Sequence, residues 1–264
     1  MKVTLLSHTK MPTNLIGAAG RACYSDKLPS QLFSTMTMQQ IEKQLGLIHG
    51  SVFEHASFTF SIEGVSRVTT HQLVRHRLAS FSQQSQRFVD VHKLWDHIVI
   101  PPKVQEVMDD EDELADSLKD EHMLNAIENY KHALSQLMDE LDKHDIPSED
   151  IRYFVPNGVK TNIVMTMNLR ELQHFLGLRR CNRAQWEIKQ VADEIARIME
   201  EQFPEIVAKV CLGPQCVQNG FCPEHKSCGR YATKNEIFDY AIKGKIREYA
   251  HLFKDKMETP KEGE

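Results

Sequence analysis

No stretch of this sequence approaches the roughly 20 consecutive apolar residues that a membrane helix requires, so no spanning segment is expected. The first residues, Met1-Lys2-Val3-Thr4-Leu5-Leu6-Ser7-His8, turn polar too soon for a secretory signal. A cytoplasmic protein is the expectation. A broad basic surface is missing as well: the net charge is -5 and the basic residues form only local clusters. Counterion release from a nucleic-acid backbone needs many cations, so a general nucleic-acid binder is disfavoured. Close Cys-x-x-Cys pairs are absent. Of six cysteines, Cys23 and Cys181 stand alone and Cys211, Cys216, Cys222 and Cys228 fall within eighteen residues. A reducing cytoplasm disfavours a disulfide framework. With His225 the cluster could supply ligands to a structural zinc, but the spacing is unlike that of zinc ribbons, so free thiols are preferred and no metal is expected. No linker, low-complexity tract or internal repeat divides the chain.

What is present is ordinary for a soluble globular protein: 264 residues, 41% hydrophobic and 26% charged. Lys2 to Leu6 alternates and reads as a short strand, and Asn14 to Tyr24 as a packed helix. Met38 to Ile48 is a second helix, with Ile41, Leu45 and Ile48 at helical spacing. Phe58, Phe60 and Ile62 alternate with Thr59 and Ser61, which marks a strand with one buried face. Ser66 suits the cap of a helix over Arg67 to about Arg77, after which the chain is expected to run into a loop. Pro101 and Pro102 break the pattern. Beyond the acidic Asp109 to Glu113, Met123, Ile127, Tyr130, Leu134, Leu137 and Leu141 recur at steps of three and four, a long amphipathic helix. Thr161 to Met167 reads as a strand, Asn168 as the cap of a helix reaching Arg179, and Ala184 onward as a further helix. One α+β domain reaching about Phe203 or Ala208 is the simplest organisation, with a last helix over Asn235 to Phe253 and a polar tail.

The chain's densest set of donors is Arg75 to Arg87, with three arginines, a histidine and three serines in thirteen residues. Guanidinium forks and hydroxyls suit an anionic, hydrogen-bonding ligand. Composition alone would make this a solvated basic turn. Its spacing says more: Arg75, His76, Arg77, Ser80, Ser85 and Arg87 stand at the intervals of the signature of flavin-dependent thymidylate synthases, and the chain resembles that family over most of residues 1 to about 205. Phe53-Glu54-His55, Asn168-Leu169-Arg170, Leu178-Arg179 and Ala184-Gln185-Trp186-Glu187 also look like the family's blocks, in its order.

The resemblance implies a single α+β domain over residues 1–205 with a small antiparallel sheet and several long helices, followed by a Cys-containing extension over 206–264. It implies conversion of dUMP to dTMP with methylenetetrahydrofolate as carbon donor, FAD as redox carrier and NADPH as reductant. It also implies a homotetramer whose sites are shared between subunits, without nucleic acid or membrane as partner. Gln72, Arg75, Gln83, Gln84, Ser85, Arg87, Arg152 and Arg179 are implied for dUMP. Ser51, Arg75, His76, Arg77, Gln83, Asn168, Arg170 and His174 are implied for FAD.

Physical chemistry assigns some of these roles. The C5 carbon of a neutral uracil is a poor nucleophile, so a cation against the ring edge would stabilise the anion left by loss of the N3 proton; the resemblance implies that this cation is Arg179, which matches the family's ionising arginine. Ser85 has no obvious adjacent base and is expected to bind and activate rather than attack. Reduced flavin supplies a hydride, which is why no attacking cysteine is needed; Cys23 and Cys181 lack the Pro-Cys-His context of the classical, unrelated thymidylate synthases. His49 matches a histidine near the flavin and folate pocket, whereas His55 reads equally well as a locally bonded helix-end residue. His174 stands where some relatives have asparagine and Arg183 where they have histidine. A phosphate- or RNA-binding module, with Phe81 as a stacking surface, is the alternative.

Overall fold

The computed structural model describes residues 1–45, 50–89, 97–109 and 117–253. Strand β1 (Lys2–His8) is followed by helices α1 (Pro12–Ala22), α2 (Pro29–Thr35) and α3 (Met38–Leu45), a 3-10 turn (Gly50–His55) and β2 (Ser57–Ser66). Then come α4 (Arg67–Leu73), β3 (Ala79–Gln83), α5 (Pro102–Asp109), α6 (Ser117–Lys143), α7 (Ser148–Ile151) and β4 (Lys160–Asn168). The chain ends through α8 (Leu169–Arg179), α9 (Trp186–Gln202), α10 (Pro204–Val207), α11 (Gln215–Asn219) and α12 (Lys234–Phe253).

The four strands form one antiparallel sheet in the order β1-β2-β4-β3. Alternation decides its faces. Phe58, Phe60 and Ile62 of β2 and Ile163, Met165 and Met167 of β4 are all buried, and the register sets Phe60 opposite Met165 and Ile62 opposite Ile163. Beneath them lie Leu169, Leu172, Phe175 and Leu176 of α8 and Ile188, Val191, Ile195 and Met199 of α9, all in the same core. The other face carries hydroxyls such as Thr59 and Thr166, whose Oγ1 atoms are 3.0 Å apart. A smaller core gathers Leu134 and Met138 of α6 with Ile151 and Val159. Ile206, Val210 and Leu212, beyond the expected boundary at 205, are part of the main core.

Three expectations change. The helix begun at Ser66 ends at Leu73, four residues short of Arg77. Backbone bonds from Arg75 to Gln72 and from His76 to Leu73 tighten its exit into turns. The stretch that follows is edge strand β3 rather than loop, with Ala79 opposite Met167 and Gln83 opposite Ile163. Its side chains alternate between half-buried (Ala79, Phe81, Gln83) and exposed (Ser80, Ser82), but Ala, Ser and Gln carry little strand propensity, so the pattern was faint. Pro102 opens α5 at its first turn, where a missing N–H costs nothing, instead of merely interrupting the chain. Of the second expected helix, residues 46–49 lie outside the described residues, as do 110–116 of the acidic run.

Gly64 has a left-handed φ of 67° at the register shift between Ile62 and Val65. Its N–H donates to the Asn162 carboxamide at 2.9 Å, and the bulge turns β2 toward the cap at Ser66. Among the described residues, no helix is long and apolar enough to cross a membrane.

Candidate active site

The signature segment leaves the core at Leu73 and returns to it at β3, so its residues sit at the rim of the sheet. Arg75 and Arg77 are exposed and make no side-chain hydrogen bond or ion pair with another described residue. Gln72 is half-buried beside them. Gln83 turns inward, its Nε2 donating to Thr70 Oγ1 at 3.0 Å and Thr161 Oγ1 at 3.4 Å. The adjoining Gln84 and Ser85 line a cleft of about 300 Å³ together with Gly64 and Asn162.

Around that cleft stand more cations than carboxylates. Arg67 donates to the Gln84 carbonyl at 2.9 Å, while its buried Nε has no partner among the described residues. Burial, and after it the nearby Arg152 charge, depresses the Arg67 guanidinium below its ordinary value. Arg87 pairs with Glu149 at 2.8 Å, and Arg152 Nε donates to the Glu149 carbonyl at 3.0 Å. An unpartnered buried N–H and two mutually repelling guanidiniums favour the arrival of an anion. Ser85 Oγ accepts from the Arg87 N–H at 3.2 Å, and no imidazole or carboxylate lies within hydrogen-bond distance of it among the described residues. A nucleophilic serine therefore finds no base here.

A second group spans α8. Asn168 caps the helix by accepting from the Glu171 N–H at 2.9 Å. Arg170 pairs with Glu54 of the 3-10 turn at 2.6 Å and lies against Gly50, which brings it beside the turn that carries Ser51. His174 is exposed one turn further on. Arg170 and Arg179 mark opposite ends of α8, about 14 Å apart along its axis at 1.5 Å per residue. His55 is exposed, and His49 lies outside the described residues.

Behind Arg179 sits His76, which the resemblance implies for flavin; it is 5% exposed and both of its ring nitrogens are engaged within the chain. Nδ1 lies 3.3 Å from Glu171 Oε1, and Nε2 lies 3.2 Å from Arg179 Nε. Because an arginine Nε–H only donates, Nε2 must be the acceptor, and the ring proton sits on Nδ1 facing Glu171. Burial first, then the Arg179 and His174 charges, push the imidazole down to about 4 from its ordinary 6.5. The His76–Glu171 contact is therefore a hydrogen bond from a neutral ring, although its distance would admit an ion pair. Burial lowers Arg179 and raises Glu171 in the same pocket. The two terminal nitrogens of Arg179 have no partner among the described residues.

This pocket predicts an acid response. Unfolded, His76 takes a proton near pH 6.5; folded, it does so only near 4. Across that window the unfolded chain binds more protons, so stability rises with pH and is lost as the pH drops from 6.5 to 4, by up to about 1.4 kcal/mol per unit. Glu171 acts in the opposite sense just above its ordinary 4.5, since the folded state takes its proton earlier. In melts at stepped pH, His76→Phe should lose less stability between pH 6.5 and 4 than the parent; parallel curves would contradict the neutral-histidine assignment.

Sequence reading missed Arg67, Glu149 and Glu171. Arg67 carried one signal, its place directly after a helix cap, whereas Glu171 read as a first-turn acid like any other. Phe81 is partly buried against the core, which leaves less of its ring free as a stacking surface than a solvated loop would. Arg183 reaches Glu224 at 3.9 Å in the C-terminal segment. There Cys216 and Cys222 are buried, Cys211 and Cys228 exposed, and all are free thiols. Among the described residues no three His, Cys, Asp or Glu side chains converge as a metal site would require.

Comparison with known proteins bears on the same segments. Residues 4–205 match the family model described as thymidylate synthase complementing protein. The flavin-dependent thymidylate synthase of Pyrococcus abyssi is 41% identical over 236 residues, covering 86% of this chain and 91% of that one. That of Geobacter sulfurreducens is 40% identical over 243 residues, covering 90% and 98%. Among solved structures, thymidylate synthase ThyX of Helicobacter pylori complexed with FAD and dUMP superposes with a TM-score of 0.53 at 26% identity, over 80% of this chain and all of that one. The UMP/dUMP methylase PolB of Streptomyces cacaoi, bound to 5-Br dUMP, shares the fold with a TM-score of 0.61 at 20% identity, over 80% and 96%.

Proposed function

The chain belongs to the flavin-dependent thymidylate synthase family, and from that premise we propose that it methylates dUMP to dTMP, with methylenetetrahydrofolate as carbon donor and NADPH as reductant, in the cytoplasm. The observation that supports this most strongly is Arg179: a half-buried cation whose terminal nitrogens have no partner among the described residues and whose back is braced by a neutral acceptor.

The phosphate of dUMP, about two negative charges near neutral pH, goes to the cationic cleft. Ser85 and Gln84 line it, and Arg87, Arg152 and the exposed Arg75 bring charge, with Gln72 and Gln83 nearby. Arg87 exchanges its Glu149 partner for phosphate, an exchange of one exposed anion for another that costs little. Arg179 faces the uracil edge. Its charge favours the N3-deprotonated ring, which carries the electron density that C5 needs to attack the folate carbon.

FAD suits the residues present. Arg75 and Arg77 are uncommitted cations fit for a pyrophosphate, and Arg170 is oriented by Glu54 next to Ser51 and Asn168. When bound, FAD supplies the hydride that completes the methyl group. His174 and His49 complete the proposed contact set, and Ser85 orients the nucleotide without attacking it. The groups at the two ends of α8 stand open on one protomer, which fits sites finished by neighbouring copies in a homotetramer.

Purified protein should be yellow or should take up FAD, and it should bind dUMP more tightly than oligonucleotides even at low salt. A colourless protein that cannot be reconstituted with FAD would overturn the reading.

A further inference from the structure

Building on the assignment of Arg179 to the uracil edge, we propose that His76 is a positioning residue, an oriented neutral acceptor that fixes the plane of the Arg179 guanidinium so that its terminal fork is presented to the substrate ring. Three side chains form the device. Glu171 Oε1 receives the Nδ1 proton at 3.3 Å, which sets the tautomer, and Nε2 then receives the Arg179 Nε–H at 3.2 Å. The ring has little freedom. Its edge meets Phe175 at a centroid distance of 5.0 Å and an interplanar angle of 84°, and the His76 backbone N–H is tied to Leu73 at 3.1 Å. Glu171 is itself held at the start of α8, where its N–H donates to Asn168 at 2.9 Å.

The geometry selects Nε. This N–H lies in the guanidinium plane, so anchoring it restricts the last side-chain torsion while leaving both terminal nitrogens as a fork. The choice of acceptor matters as much. A carboxylate in contact with Arg179 would fix it equally well but would cancel the charge that the uracil anion needs. A neutral imidazole fixes the plane with the charge undiminished, and the anion of Glu171 stays one ring-width further away. Protonation of His76 would turn Nε2 from acceptor to donor and repel the guanidinium. The charged or titratable groups facing it are Glu171, His174 and Arg179, all from α8, and burial together with Arg179 and His174 disfavours that protonation.

The test uses the FAD-loaded full chain and two readouts, turnover and the pH dependence of affinity for 5-bromo-dUMP. If Arg179 favours the N3 anion, affinity should rise about ten-fold from about pH 7 to about pH 9. Arg179→Ala should flatten that rise. His76→Phe should flatten it as well and lower kcat about ten- to one-hundred-fold, the scale typical of residues that orient a site group. His76→Gln, which can offer a carbonyl to Arg179 and an N–H to Glu171, should restore most of both. If Arg179→Ala flattens the profile and His76→Phe does not, the positioning role is overturned and the function stands. If Arg179→Ala keeps the rise, the role of Arg179 falls and this inference with it. Should His76→Phe fail to fold, Glu171→Gln replaces it; a partial flattening supports the chain of three, and an unchanged profile overturns it.

Discussion

Arg179→Ala is expected to retain flavin and bind dUMP while forming dTMP about 10²- to 10³-fold more slowly, the range for removal of a donor that stabilises developing charge. The expectation follows from the proposed division of labour: phosphate is assigned to the cleft lined by Gln84 and Ser85, which Arg179 does not line. Arg179 ends α8, and its half-buried charge is paired with no carboxylate among the described residues. Loss of the guanidinium should therefore leave nucleotide affinity changed much less than kcat. Near-normal turnover would remove its proposed role.

The largest loss of stability is expected at Glu187, far from any reacting atom. This carboxylate is 3% exposed at the start of α9. It accepts from the Ser66 N–H at 2.7 Å, the Thr69 hydroxyl at 2.6 Å and the Ser66 hydroxyl. All three donors belong to the first turn of α4 or its cap, so one side chain ties α9 to the helix that launches Arg75 to Arg87. Glu187→Ala strands those donors in the core and opens a cavity, at a cost of about 3–5 kcal/mol. In a chain of this size that lowers Tm by about 10 °C. Glu187→Gln keeps the shape and one acceptor, so it should fall between the two. A parent-like Tm for Glu187→Ala in calorimetry would contradict this assignment.

Much of the architecture was legible because two periodicities were strong. Phe58 to Ile62 and Thr161 to Met167 alternate cleanly, and Leu169, Leu172, Phe175 and Leu176 repeat at helical steps. Caps were legible too: Ser66 and Asn168 both accept from the N–H three residues on. Strand β3 was hidden, since pairing with β4 rather than side-chain propensity makes it a strand. At the site, residue types were readable from spacing, but partners were not. His76 meets Glu171 and Arg179 across 95 and 103 residues, a distance no local pattern reports. Its burial could not be read either, because Arg-His-Arg looks solvated until the fold turns the middle residue inward. Arg67 hid for a similar reason: its significance lies in an unpartnered Nε, a property of packing.

The central claim is carbon transfer to dUMP dependent on bound flavin, and one turnover measurement tests it directly. FAD-loaded protein is incubated with dUMP, NADPH and methylenetetrahydrofolate carrying an isotope label in its transferable carbon, and the nucleotide product is analysed for label at C5. The account predicts labelled dTMP that disappears when FAD or NADPH is omitted. Unchanged dUMP in the complete mixture, from protein that has bound both flavin and dUMP, would contradict it.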